Sequence, residues 1–141
     1  MTHLRSLLSL LLAFTTAFSH RGHGQENAPV AALAKELADG DDAARRAASY
    51  ALWKLGDDAA SALPALIQGL RDDEDQVWFN ATMAIAALGP AAIQAKDALI
   101  QNLRRPGGRY RDQVRYRTAY ALGQLGPTIL PDLTDLLEDA N

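Results

Sequence analysis

Apolar residues recur along most of the chain at steps of three and four, the spacing that places side chains on one side of an α-helix. Segments with leucines at this spacing predict four short helices, at residues 29–38, 63–71, 95–104 and 130–139. Longer, alanine-rich segments predict three further helices, at residues 43–55, 76–88 and 113–125. Apolar and polar residues nowhere alternate with a period of two over a useful length, so we expect an all-α protein without a sheet.

The apolar pattern repeats itself with a period of 33 residues. This step relates three sets of leucines: Leu33, Leu66 and Leu99; Leu37, Leu70 and Leu103; and Leu55 and Leu88. The third unit gains four residues before Val114 and later loses three, both in connections that contain glycine and proline. One helical hairpin cannot bury its apolar side alone, whereas stacked hairpins cover one another. The period therefore predicts a right-handed α-solenoid of about three and a half helical hairpins.

Residues at the ends of the longer helices support these boundaries. Acidic residues precede the three helices at matching positions and are expected to cap their free backbone N–H groups: Asp42, Asp75 and Asp112. Glycines follow the last leucine of each helix, where a left-handed residue ends a helix: Gly56, Gly89 and Gly126. Alanines inside the helices are expected to let neighbouring hairpins approach closely: Ala47, Ala48, Ala51, Ala81, Ala84, Ala119 and Ala121.

The longer helices also share a motif. The third unit contains Asp112, Val114, Arg115, Ala121, Leu122, Leu125 and Gly126, and the first unit contains Arg45, Ala48, Ala51, Leu52, Leu55 and Gly56 at matching positions. This motif resembles the short HEAT-like repeat of the phycobilisome-lyase type, although Ala44 replaces its valine in the first unit and Trp78 its arginine in the second. The resemblance runs from about residue 29 to the end and implies a stacked-hairpin fold. It implies little about function, because such repeats serve as scaffolds for many unrelated partners.

The N-terminal segment has the features of a secretory signal. Arg5 precedes an apolar stretch at residues 6–18, and Ala17 and Ser19 are the small residues expected before a cleavage site after Ser19. Cleavage after Gly24, which Gly22 precedes, is the second choice. This stretch is shorter than the ~20 residues that span a bilayer, although an uncleaved anchor is the alternative. We expect a signal peptide at residues 1–19, a flexible tail at 20–28 and a HEAT-like repeat domain at 29–141. The protein is then secreted or periplasmic.

The composition argues against an enzyme. The chain has no cysteine, which excludes disulfides, zinc ribbons and thiol nucleophiles. Its three histidines lie within the first 23 residues, so the predicted repeat domain has no imidazole for a catalytic triad or a metal site. We therefore expect no cofactor and no metal. The formal charge of −3 disfavours a general binder of polyanions such as nucleic acid.

The outward positions of the longer helices predict a binding surface. Alignment of the units on their last leucines places large side chains in two rows: Arg46, Phe79 and Tyr116, and one turn further Tyr50, Met83 and Tyr120. Aligned apolar groups held in water mark interaction surfaces. We expect these residues to bind a protein or peptide on the concave face of the solenoid. The alternative is that they pack against neighbouring helices in a short array.

The insertion in the third unit concentrates positive charge opposed only by Asp112. Five arginines in and after it are predicted to bind an anionic group, such as a carboxylate-rich peptide, a glycan or phosphate: Arg104, Arg105, Arg109, Arg111 and Arg117. The alternative is structural, because these arginines can instead pair with the acidic residues at 72–75 of the preceding unit.

Three further features have structural interpretations. Trp78 is predicted to be a wedge between units, because it replaces the arginine of the repeat. Asn80 begins a glycosylation sequon, but it lies on the packed side of a helix, so we expect no glycan there. The last helix, at residues 130–139, lacks the second helix of its hairpin. Self-association through this helix, or truncation relative to longer relatives, therefore stays open.

These observations favour an exported, non-catalytic scaffold that binds a protein or peptide and has no membrane contact after signal cleavage. Three alternatives stay open: a lyase similar to the phycobilin lyases, a protein similar to HEAT-like DNA glycosylases, and a fragment of a larger exported enzyme. The export signal and the missing histidine and cysteine argue against the lyase. Net acidity argues against the glycosylase, for which Asp112 and Arg115 are the only plausible acid and anchor.

Overall fold

The computed structural model describes residues 27–104 and 111–138. In this part of the chain seven α-helices follow one another: α1 Asn27–Asp39, α2 Asp42–Leu55, α3 Leu63–Gly69, α4 Asp75–Leu88, α5 Lys96–Leu103, α6 Arg111–Gln124 and α7 Leu130–Glu138. Three 3-10 helices connect them, at Gly56–Ala62, Gly89–Ala95 and Pro127–Ile129. The described ranges contain no strand, which confirms the predicted all-α fold. The predicted signal peptide and most of the predicted tail lie outside the described residues.

The helices form two layers that stack hairpin upon hairpin. The longer helices lie side by side, because α2 packs against α4 and α4 packs against α6. Each shorter helix packs on the longer helix of its own hairpin, as α1 does on α2, α3 on α4 and α5 on α6. The described chain is thus a solenoid of three hairpins followed by α7, the first helix of a fourth.

The leucines of the 33-residue period form the core between the two layers. Large side chains that are fully buried come from every hairpin: Leu52, Leu66, Leu70, Ile85, Leu99, Leu122, Leu125 and Ile129. Removing one such side chain from water stabilises the fold by about 1.5–3 kcal/mol. The core is therefore shared by all the described hairpins, and each hairpin helps to cover the apolar side chains of its neighbours.

Glycine ends each longer helix, as the sequence predicts. Gly56, Gly89 and Gly126 have φ angles of 56°, 55° and 95°, a region that L side chains rarely adopt. From Gly56 and from Gly89 the chain continues as a 3-10 helix of seven residues, where the sequence predicted a connection and no helix. Both segments are helical because their small residues turn inward and join the core: Ala59, Ala62, Ala92 and Ala95.

The acidic caps predicted for the longer helices are wrong in detail. At α2 the cap is Asp41, whose carboxylate accepts the backbone N–H of Ala44 at 2.8 Å, whereas Asp42 is already the first helical residue. At α4 the residue before the helix is Glu74, which makes no capping bond with its side chain. Its backbone N–H instead donates to Asp72 at 2.9 Å. Asp42 and Asp75 therefore lie inside the first turn, where they act on the positive end of the helix dipole and do not occupy the capping position. At α6 the residue before the helix lies outside the described residues.

Small residues bring the helices together. Alanines that the sequence assigned to this role are buried: Ala48, Ala51, Ala81, Ala84 and Ala121. At Gly69 an added Cβ atom would lie 3.1 Å from the Cβ atom of Ala81, so α3 and α4 approach closely there. The prediction is wrong for Ala119, which is exposed. Ala119 is equivalent to Ser49 and Thr82, which are buried in α2 and α4, and no further long helix follows α6 in the described residues to cover it.

The stretch Asp75–Leu103 is long enough to cross a membrane and contains an 18-residue window with a mean hydropathy of 1.3, so it passes a test of length and composition alone. In the structure it is not one straight helix, because Gly89 has a φ angle of 55° and Ala92 leaves the helical conformation. Several of its large apolar side chains, such as Ile85 and Leu99, are buried, whereas Ile93 is 38% exposed. The apolar character of this stretch is explained by its place in the middle of the stack.

A buried polar network fixes the first hairpin against the second. The side-chain amide of Asn80 in α4 donates to the hydroxyl of Ser49 in α2 at 3.0 Å. The Ser49 hydroxyl donates to the carbonyl of Arg46 at 2.9 Å, and the Asn80 oxygen accepts a bond from Gln76 at 3.1 Å. Ser49 and Asn80 are both 0% exposed, so neither can exchange its partner for water. The network therefore favours a single register of α4 on α2.

Two further polar contacts link later hairpins. The buried amide of Asn102 in α5 donates to the backbone carbonyl of Leu70 at 3.2 Å. The ammonium group of Lys96 lies 2.9 Å from the carboxylate of Asp132 and so links α5 to α7. The hydrogen bond from Lys96 to Asp132 raises the pKa of the lysine above its ordinary value of 10.5. Each later hairpin is thus fastened to its neighbour by at least one polar contact.

Candidate partner-binding face

The three longer helices present one face, which carries the six predicted partner-binding residues. Tyr50 is 47% exposed, Tyr116 is 69% exposed and Tyr120 is 47% exposed. Arg46 is exposed as well, whereas Phe79 and Met83 in the central helix are half-buried. Because α2, α4 and α6 are neighbours, these side chains lie in rows that cross the stack. The prediction that these residues face solvent is confirmed for those in α2 and α6. Phe79 and Met83 in α4 are partly packed against their neighbours.

An unbroken series of ring contacts joins the first hairpin to the second. The ring centroids of Tyr50 and Trp53 are 5.9 Å apart and their planes meet at 83°. The rings of Trp53 and Phe79 are 5.8 Å apart at 87°, so this contact crosses from α2 to α4. Edge-to-face pairs of this geometry contribute about 0.5–1.5 kcal/mol each beyond the area they bury. The rings therefore hold one another in a fixed arrangement at the surface.

Two cations extend this series. The guanidinium carbon of Arg117 lies 5.1 Å from the ring centroid of Phe79 and 5.8 Å from that of Tyr116, and so joins α4 to α6. The ammonium nitrogen of Lys54 lies 5.6 Å from the ring of Tyr50 and 5.5 Å from that of Trp53. We name the resulting surface the aromatic strip, and its members are Tyr50, Trp53, Lys54, Phe79, Tyr116 and Arg117. The strip reaches from the first hairpin to the third.

Three members of the strip were not among the predicted partner-binding residues. Alignment of the repeats places Lys54 in a third outward row with Ala87 and Gln124, but it does not indicate Trp53 or Arg117. Trp53 was not placed in a row, because its equivalents Ala86 and Gly123 are small and leave no aligned pattern. Its position three residues after Tyr50, on the same side of a helix, was the available signal. Arg117 was grouped with the charged insertion on the basis of distance along the chain. It is equivalent in the repeat to Asn80, which faces the preceding long helix, and this equivalence predicts that Arg117 faces α4.

Two ion pairs border the strip where α2 meets the connection between α3 and α4. The Nε atom of Arg45 donates to Asp72 at 2.8 Å, and Arg46 lies 3.0 Å from Glu74. The hydrogen bond to Asp72, with the attraction of its negative charge, raises the pKa of Arg45. Two acidic residues of the connection between α3 and α4 are thus already paired with arginines of the first hairpin. Arg46, one of the predicted partner-binding residues, carries a charge that Glu74 already balances.

Comparison with known families agrees with this geometry. The family model described as HEAT repeats matches residues 30–112, more than half of the chain. The chain belongs to the HEAT repeat family. A second model, described as PBS lyase HEAT-like repeat, matches residues 114–139, where the motif residues of the third unit lie. No curated protein matches the chain.

The second HEAT repeat departs from its neighbours at Trp78. Trp78 occupies the position of Arg45 and is 6% exposed, so its predicted place between repeats is consistent with its burial. Its indole N–H and the hydroxyl of Thr118 are buried without a hydrogen-bond partner in the described part of the chain. Asn80 is fully buried in the network with Ser49, as expected of a sequon that carries no glycan.

Most of the predicted anion-binding cluster lies outside the described residues. Arg105 and Arg109 belong to the segment 105–110, and the side chain of Arg111 is not described either. Arg104 is exposed at the end of α5. Arg117 alone is placed in detail, against the rings of the aromatic strip. Anion binding by this cluster stays a prediction for the HEAT domain.

Proposed function

We propose that this HEAT repeat protein is an exported, non-catalytic scaffold that binds a protein or peptide on the face formed by α2, α4 and α6. The observation that carries the proposal is the aromatic strip. Large rings that are exposed singly are common on protein surfaces, whereas rings aligned across three repeats are typical of interaction sites.

The arrangement of the strip supports binding by preformed contacts. Trp53 and Phe79 hold each other edge to face, and Arg117 lies over Phe79. Rings that are already fixed lose little conformational freedom when a partner arrives, so more of the contact energy contributes to affinity. Tyrosine adds a hydroxyl group that bonds to a partner at the edge of an apolar contact. Tyr116, at 69% exposure, has the most area left for such a partner.

The proposed location follows from the N-terminal sequence. A basic residue, an apolar stretch and the small residues before Ser19 fit a signal that is removed during export. N-terminal sequencing of the protein recovered outside the cytoplasm should begin at His20. A mature protein that still begins at Met1 would contradict cleavage and would favour an anchor.

The binding role is tested by replacing Phe79 and Tyr116 with alanine together. The purified double variant should lose capture of the partner from an extracellular or periplasmic extract, because both rings of the strip that contact Arg117 are removed. The helical circular dichroism should stay unchanged. A matched control is Ile93→Ala, which removes an exposed apolar side chain at 38% exposure from a connection outside the strip.

The outcome separates the strip from other surfaces. Capture that survives in the double variant would show that the partner binds elsewhere and would refute the proposed face. Capture that is lost equally in the Ile93→Ala control would show that it depends on nonspecific apolar contact. Turnover of a substrate by the purified protein would overturn the non-catalytic role.

A further inference from the structure

Charge is distributed unevenly between the long helices and the rest of the chain. The chain as a whole has 14 basic and 17 acidic residues. Each long helix has one acidic residue, in its first turn, namely Asp42, Asp75 or Asp112. The rest of these helices, residues 43–55, 76–88 and 113–124, contains no aspartate or glutamate. Its only charged residues are basic, namely Arg45, Arg46, Lys54, Arg115 and Arg117. The face with the aromatic strip is therefore positive in a protein that is acidic overall.

The two cations of the strip are available to a ligand, as is the exposed Arg115 of α6. Arg45 and Arg46 are balanced by Asp72 and Glu74 at the edge of the face. Lys54 and Arg117 form no ion pair with any residue of 27–104 or 111–138 and lie instead over rings. A ring attracts a cation without neutralising it. Both cations therefore keep a full charge and free N–H donors.

The strip has the dimensions of a short extended peptide. Packed helices lie about 8–10 Å apart, so the outer two of three adjacent helices are about 16–20 Å apart. An extended chain rises about 3.3 Å per residue, so about six residues cross the strip. Alternate side chains of such a segment point to the same side. About three of them can contact the rings and cations at once.

We propose that the partner segment is an extended acidic peptide that crosses α2, α4 and α6, with carboxylates paired to Lys54 and Arg117 and apolar side chains on the rings. This inference rests on the proposed function and specifies the chemistry of the partner. Carboxylates bond to arginine through two parallel N–H···O bonds, which the half-exposed guanidinium of Arg117 can still offer. The rings between the two cations give apolar side chains of the same segment a contact surface.

A single-stranded nucleic acid is the competing ligand, because bases stack on aromatic rings and phosphates pair with cations. The overall charge of the protein disfavours it. Nucleic-acid affinity depends on the summed attraction of many phosphates. The short helices and the connections are acidic and repel a long polyanion. A short segment with two or three carboxylates needs only the local charge of the strip.

The test is a selection of phage-displayed random hexapeptides on the immobilised full chain. We expect the recovered peptides to be at least about twofold richer in aspartate and glutamate than the starting library, as expected of ligands for an unbalanced positive surface. A representative recovered peptide, labelled with fluorescein, is then titrated with the protein and its variants. A single-stranded oligonucleotide of six thymidines, labelled in the same way, serves as the competing probe.

Charge variants identify the cations that bind the peptide. Replacing Lys54 and Arg117 with glutamine together should weaken binding about fivefold to tenfold, which is the sum expected of two exposed ion pairs. The matched control replaces Lys35 and Arg71 with glutamine, which removes the same charge from exposed positions outside the long helices. Binding by this control should stay within about twofold of the natural protein. Added salt should reduce the difference between the two double variants.

The outcomes distinguish this inference from the proposed function. Recovery of neutral or basic peptides whose binding is lost in Tyr116→Ala would overturn the acidic partner and keep the binding face. Peptides whose binding is unchanged both in Tyr116→Ala and in the folded Phe79→Ala protein, or no recovered peptides, would overturn both. Tighter binding of the oligonucleotide than of any recovered peptide would overturn the peptide in favour of a nucleic acid.

Discussion

The buried network between Ser49 and Asn80 gives a sharp prediction about how the first two HEAT repeats are held together. Ser49→Ala removes the hydroxyl that accepts the amide of Asn80 at 3.0 Å. Asn80 is 0% exposed, so its N–H group is left buried without a partner. An unsatisfied buried donor costs about 1–3 kcal/mol, a large share of the about 5–15 kcal/mol that stabilises a domain. We therefore expect Ser49→Ala to lower the free energy of unfolding by about 1–3 kcal/mol.

A double-mutant cycle isolates the contribution of this contact. Asn80→Leu removes the buried amide at similar volume, and the hydroxyl of Ser49 keeps its bond to the carbonyl of Arg46. In the Asn80→Leu background no amide is left to lose its partner, so adding Ser49→Ala should cost little. The two substitutions should then be non-additive by about 1 kcal/mol or more. The free energy of unfolding of all four proteins is measured in urea with circular dichroism as the signal. The comparison requires that the free energy fall with urea concentration at the same slope in each protein.

Thr82→Val is the matched control for this cycle. The hydroxyl of Thr82 is equally buried but donates to the carbonyl of Trp78 in the same helix, so its removal leaves no donor without a partner. We expect a loss below about 1 kcal/mol. If Ser49→Ala costs no more than Thr82→Val, and if the effects of Ser49→Ala and Asn80→Leu add within about 0.5 kcal/mol, the network does not fix the register of the repeats.

Three further predictions follow from the packing and the charges. Gly69→Ala should lower stability by about 1 kcal/mol, because its Cβ atom would lie 3.1 Å from the Cβ atom of the fully buried Ala81 and the clash outweighs the about 0.5–1 kcal/mol that alanine gains in a helix. Gly123→Ala, with no atom within 4 Å, should raise stability by about 0.4–1 kcal/mol. Unfolding in urea measures both effects, and equal effects would contradict the close approach. Because Asp132 raises the pKa of Lys96, the natural protein should be more stable than Asp132→Asn below pH 10.5. This difference in unfolding free energy should disappear as the pH rises through the folded pKa of the lysine, and an unchanged difference at higher pH would refute the ion pair. Asn80 should carry no glycan after secretion from a eukaryotic host, and intact mass shows the outcome, since a glycosylated folded protein would contradict its burial.

The fold could be predicted largely from the sequence because the repeat determines it. Leu66 and Leu99 lie in equivalent places because each hairpin repeats the packing of the one before. Ends of helices were harder to predict. Asp41 and Asp42 are both suited to cap α2, and only the backbone conformation shows that Asp41 does so. The exposure of Ala119 depends on the absence of a fourth long helix in the described chain, which a repeat pattern does not reveal.

The candidate site could be predicted only in part. Alignment of the repeats identified Tyr50 and Tyr116, because both belong to rows of equivalent positions. Contacts between residues at non-equivalent positions of the repeat could not be predicted from this alignment. Trp53 and Phe79 belong to different rows of equivalent positions, and so do Arg117 and Phe79, yet their side chains meet. Alignment of the repeats shows which residues are equivalent and does not show contacts between rows.

The central claim is that stacked HEAT repeats bring Trp53, Phe79 and Arg117 together in one strip. Nuclear magnetic resonance of the purified protein tests this directly through contacts between ring protons and through the shifts of the Arg117 methylene groups. We expect cross-relaxation between the rings of Trp53 and Phe79, whose centroids are 5.8 Å apart. The Arg117 resonances should move upfield because the guanidinium lies over the Phe79 ring and return towards ordinary values in Phe79→Ala. Ordinary Arg117 shifts in the natural protein, with no contact between the two rings, would contradict the account.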